Sequence, residues 1–99
     1  MRGSPYSRTD DGVLGPSGKP VRVYAISVES SGGGAAVVAF HNGTSSSGTK
    51  FLTGTGTTSK AVLVPDIPAE GLLFPSGLYV DVDANTANVT AFIEAVSKA

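Results

Sequence analysis

Neither cysteine nor tryptophan occurs in the chain, and histidine and methionine occur once each. Without cysteine there is no disulfide to staple a small fold and no thiolate to hold zinc. Charge is also scarce: 15% of the 99 residues are Asp, Glu, Lys or Arg, and the net charge is −1, against about 25% charged residues in ordinary soluble domains. A balance this close to neutral supplies no basic field for nucleic acid and no acidic tail. No run approaches the roughly 18 apolar residues of a membrane span, and residues 1–11 lack the apolar stretch of a signal peptide. The length permits one domain. At this size folding buries only about 60–65% of the unfolded surface, so one core, or a partner subunit, must supply the stability.

What the chain does have is short apolar segments at strand spacing. Residues 1–18 are rich in Gly, Pro and Ser and read as an extended N-terminal arm rather than a packed element. From residue 19 the pattern changes. Strands are expected over 21–28, 35–40, 49–53, 60–64, 71–74 and 78–83, separated by turns rich in Gly, Ser, Thr and Pro. In the first, Val21, Val23 and Ala25 should share one face, and Arg22, Tyr24, Ile26 and Val28 the other. The nearly all-apolar 35–40 segment reads as a central strand covered on both faces. Leu78, Val80 and Val82 alternate inward against Tyr79, Asp81 and Asp83. Residues 88–99 fit either period: Val89, Phe92, Ile93 and Val96 make a helical face, while Val89, Ala91, Ile93 and Ala95 make a strand face. The strand is preferred, because a helix would leave the sheet edge beside 78–83 unpaired. The fold expected is all-β: a single small β-sandwich over 19–99, jelly-roll-like or Ig-like, of about seven short strands. Val23, Val38, Leu63, Leu73, Leu78, Val80, Val82 and Ile93 are its expected core.

The chemistry-bearing residues form no catalytic set. His41 ends an apolar strand, partly exposed, with no nucleophile elbow or orienting acid near it in sequence. Asp81-Val82-Asp83-Ala84-Asn85 resembles the opening of a calcium loop but lacks the following Gly and the Glu at position 12; Asp81 and Asp83 read as a solvated acidic face. Gly32-Gly33-Gly34 and Gly54-Thr55-Gly56 precede no helix and no Lys-Ser/Thr pair, so they read as turns. No catalytic residue, cofactor or metal is expected. The side chains expected to meet partners are Tyr6, Arg8, Val13 and Leu14 of the arm and Tyr79 of the outer face. The arm is expected to order on a neighbouring subunit, so that a chain without it folds with unchanged stability. A small core and a weakly charged surface point to self-association, with a trimer as the expected form.

Three segments carry a family resemblance: Val21-Arg22-Val23-Tyr24-Ala25-Ile26-Ser27-Val28; Val37-Val38-Ala39-Phe40-His41-Asn42-Gly43-Thr44-Ser45-Ser46-Ser47-Gly48-Thr49; and Gly71-Leu72-Leu73-Phe74-Pro75-Ser76-Gly77-Leu78-Tyr79-Val80-Asp81-Val82. With Val89-Thr90-Ala91-Phe92 near the end, they resemble small virion proteins of tailed bacteriophages, over residues 19–94. The resemblance implies a β-sandwich structural protein of the virion. Its expected role is a capsid cement or decoration protein binding the major capsid protein, or else a neck or tail component. It carries no catalytic residue over. A different class, a receptor- or glycan-binding sandwich using loops 43–48 and 54–59, is disfavoured because those loops hold no aromatic residue.

Overall fold

The computed structural model describes residues 3–31, 34–57, 61–65 and 67–96, with the Ala61 side chain excepted. Expectations for Gly32, Gly33 and Lys60 lie outside these residues. Nine strands and no helix occur among the described residues: β1 (Ser4–Arg8), β2 (Gly12–Leu14), β3 (Val21–Ser30), β4 (Ala36–Asn42), β5 (Thr49–Gly56), β6 (Ala61–Leu63), β7 (Leu72–Phe74), β8 (Leu78–Asp81) and β9 (Thr86–Ala95). They form two antiparallel sheets. The five-stranded sheet runs β1-β9-β3-β6, with β7 also on β3; the four-stranded sheet runs β2-β8-β4-β5. The molecule is a small β-sandwich, as its composition implies.

The core lies between the sheets. Val21, Val23, Ile26 and Val28 of β3, Phe74 of β7 and Val89, Ala91 and Ile93 of β9 face Val38 and Phe40 of β4, Leu78 and Val80 of β8 and Leu14 of β2, all at 2% exposure or less. This alternation is what a strand covered on one face requires. Segment 88–99 is a strand as far as Ala95. It does not cover the edge beside 78–83, however. β9 pairs with β3 and β1 in the five-stranded sheet, while β8 lies between β2 and β4.

The arm is the largest departure. It is extended, but it is not free: β1 pairs with β9 from Ser4↔Ile93 to Arg8↔Val89, and β2 pairs with β8 from Gly12↔Val80 to Leu14↔Leu78. One short segment therefore adds a strand to each sheet, which turns seven strands into nine. On one side its backbone donors and acceptors are met by β9 and β8.

Four further expectations change. A bulge between Val23 and Ala25 shifts the register of β3 on β9, so Ile26 and Val28 join Val21 and Val23 on the inner face. Strand β4 is central in its sheet but covered on one face only, with Val37 47% exposed, because a two-layer sandwich leaves every outer face to solvent. Gly54 and Gly56 belong to β5 rather than to a loop. A Cβ on Gly54 would lie 2.6 Å from Val64 Cγ2, and one on Gly56 would lie 2.7 Å from the Val28 carbonyl oxygen, so bare backbone lets β5 pass directly against β3. Finally, Leu63 and Leu73 leave the core. Their partners are the outward Ser27 and Arg22, and they are 61% and 36% exposed. Leu72 and Val82 pack against the core only in part.

Candidate interaction surface

The five expected contact residues separate into three groups. Leu14 is 2% exposed in the core, because its register with Leu78 turns it between the sheets; it is no anchor for a partner. Arg8 is committed within its own chain. Its Nη1 donates to the Val13 carbonyl at 3.2 Å, Nη2 to the Asp11 carbonyl and Asp10 Oδ1 at 3.0 Å each, and Nε to the Asp10 carbonyl at 3.2 Å. This fork clamps the β1–β2 turn. Gly12, at φ +154°, passes so close to the guanidinium that a Cβ there would collide with it. The remaining three are accessible. Tyr6, on edge strand β1, is 40% exposed. Val13 and Tyr79 are register partners and stand half-buried, side by side, on the outer face of the four-stranded sheet.

His41 follows them in the same row, paired with Tyr79 on one side and Lys50 on the other. Contrary to expectation it is buried, at 8% exposure. Its Nδ1 donates to the Gly48 carbonyl at 2.9 Å, and the Tyr79 ring approaches edge-on with centroids 6.2 Å apart. A carbonyl can only accept, so Nδ1 carries a proton, and Nε2 is buried with no hydrogen-bond partner among the described residues.

The acidic residues act as turn locks. Asp11 Oδ1 accepts from Val82 N at 2.7 Å, tying the β1–β2 turn to the end of β8. Asp83 accepts from Val37 N at 2.9 Å, Thr86 Oγ1 at 2.8 Å and Asn85 N at 3.1 Å. Slight desolvation, the largest single influence, pushes its pKa up; the hydrogen bonds from Val37, Thr86 and Asn85 together outweigh it and hold the carboxyl below its ordinary value. Asp83 is therefore not the freely solvated carboxylate expected. The stability it adds is present at neutral pH and is lost as pH falls from the unfolded pKa, about 4, through the lower folded one. Asp83→Ala is expected to cost about 1–3 kcal/mol at pH 7. In urea titrations, the gap to the parent chain should shrink as pH drops from 5 toward 2; a gap independent of pH would contradict the lock.

No group of three or more His, Asp or Glu side chains among the described residues is placed to hold a metal ion. A depression of about 360 Å³ lies among Ser7, Arg8, Thr9, Asp10 and Asn88, where the cation is already taken up by the turn.

The surface that sequence reasoning missed is the outer face of the five-stranded sheet. Its two central strands, β3 and β9, are ten residues each and hold Arg22 opposite Glu94, Ala25 opposite Phe92 and Ser27 opposite Thr90. Tyr24 donates its hydroxyl to Glu94 Oε1 at 2.7 Å, and the Thr90 hydroxyl meets Ser7 Oγ at 2.9 Å. Leu63 and Leu73 border the face. The alternation of 88–96 already turned Phe92 outward. The pairing of β9 with β3, which makes the row, has no local signal. Comparison with family models, curated proteins and solved structures gives no match.

Proposed function

We propose that the chain is a non-catalytic structural protein of a bacteriophage virion: a capsid cement or decoration subunit that binds the capsid surface and copies of itself. The motif resemblance over residues 19–94 supplies the context. One structural observation supports it most. Four of the side chains that could have done chemistry are engaged in the scaffold: Arg8 on backbone carbonyls, Asp11 and Asp83 on backbone amides, and His41 on the Gly48 carbonyl. Meanwhile Val37, Leu63, Leu73, Phe51 and Tyr6 stand 36–61% exposed on a slab with little charge, which suits a protein that works through its surface. The expected result is that purified particles of the phage encoding this chain contain it in simple ratio to the major capsid protein, read by quantitative mass spectrometry. A few copies per particle would place it instead in the neck or tail, and absence from particles would overturn the reading.

A further inference from the structure

We infer that the outer face of the five-stranded sheet is a two-fold interface between copies of this chain. Two packed sheets lie about 10 Å apart with strands within about 30° of each other. Consider a two-fold axis parallel to the strands and midway between β3 and β9. Each β3 residue then looks across at its own β9 register partner, carried by the second copy. Arg22 faces Glu94 of the second copy, Ala25 faces Phe92, and Ser27 faces Thr90. The three matches are complementary in different ways: opposite charge, small against large, hydroxyl against hydroxyl. A register that pairs unlike residues within one sheet makes that sheet complementary to itself.

The charge match has structural support. Among the described residues Arg22 makes no ion pair, and its aliphatic stem is held over Gly71, where a Cβ would lie 2.6 Å from Arg22 Cγ. The Tyr24 hydroxyl steadies the facing carboxylate. By strand geometry β3 and β9, ten residues each, with five-residue β1 and three-residue β6 and β7 beside them, present about 500 Å². That is below the standard of about 800 Å² a side, so a weak dimer is expected, populated only at high protein concentration.

The inference rests on the self-association part of the reading above, not on its virion context, and it replaces the expected three-fold arrangement with a two-fold one. The test is sedimentation equilibrium of the purified chain over a wide concentration range. A monomer–dimer equilibrium is expected. Arg22→Glu or Glu94→Arg alone should weaken it at least tenfold, and the double reversal should recover it. Ala25→Arg leaves both charges in place and should abolish it; this variant also reads the interface if a charge reversal lowers the melting temperature. A monomer at every concentration, a trimeric mass, or single variants that dimerise like the parent would overturn the inference. A monomer would leave the virion placement standing, and absence from particles would leave the dimer standing.

Discussion

A chain that starts at Gly18 is expected to lose a large share of its stability rather than fold unchanged. The deletion removes β1 and β2 together. β9 loses the partner that covers its outer edge from Val89 to Ile93, and β8 loses its partner from Leu78 to Val80. Leu14, 2% exposed, leaves the core, which alone costs about 2–3 kcal/mol of apolar burial. The lost ladder hydrogen bonds add about 1 kcal/mol each, reduced by the chain entropy no longer spent on ordering the segment. The net loss is about 3–5 kcal/mol, a large share of the roughly 5–15 kcal/mol of a domain this size. Urea unfolding followed by circular dichroism measures it. A truncated domain with the parent midpoint would mean that β1 and β2 are ornamental.

Leu78→Ala is expected to cost about 2–5 kcal/mol, the range for a fully buried leucine whose cavity cannot close. Leu78 is wholly buried and lies in register with Leu14 on one side and Asn42 on the other. Neighbouring strands hold its walls apart, so collapse into the void is resisted. Leu73→Ala makes the comparison sharp. The residue sits five positions away and is equally apolar, but it points outward, and its loss should fall within about 0.5 kcal/mol. Equal losses at the two positions would show that the inner face has been misassigned. Because Leu78 touches Leu14, the substitution and the truncation should not add.

Local patterning made the sandwich legible. Val21 and Val23 of β3, the alternation at Leu78 and Val80, and the Val89, Ala91, Ile93 series end up where strand periodicity puts them, while Ile26 and Val28 do not. The arm was illegible for a physical reason. β1 has no apolar stripe, since its cover is a backbone ladder to a strand 83 residues away, as the Ser7–Thr90 hydroxyl pair marks. Leu72-Leu73-Phe74 is apolar throughout, so its parity depends on register with β3, which no neighbouring residue encodes. The bulge at Val23–Ala25 is set by β9 in the same way. Of the five expected contact residues, Val13 and Tyr79 come together because β2 docks on β8. The same docking buries Leu14, one residue on, and the alternation of a strand makes the two outcomes inseparable.

The position of β9 also governs the order in which the molecule can be made. It is the last of the nine strands to leave the ribosome, yet it is an interior member of its sheet, between β1 and β3. Until it emerges, β1 has nowhere to dock, and the long edge of β3, Val-Arg-Val-Tyr-Ala-Ile-Ser-Val, stands open beside other nascent chains. Such an edge is a template for wrong pairing. Closure joins residues at opposite ends of the domain, so folding should be slow, on the scale of milliseconds to seconds. The same topology that makes β1 look like a loose tail in sequence makes it among the last pieces to settle.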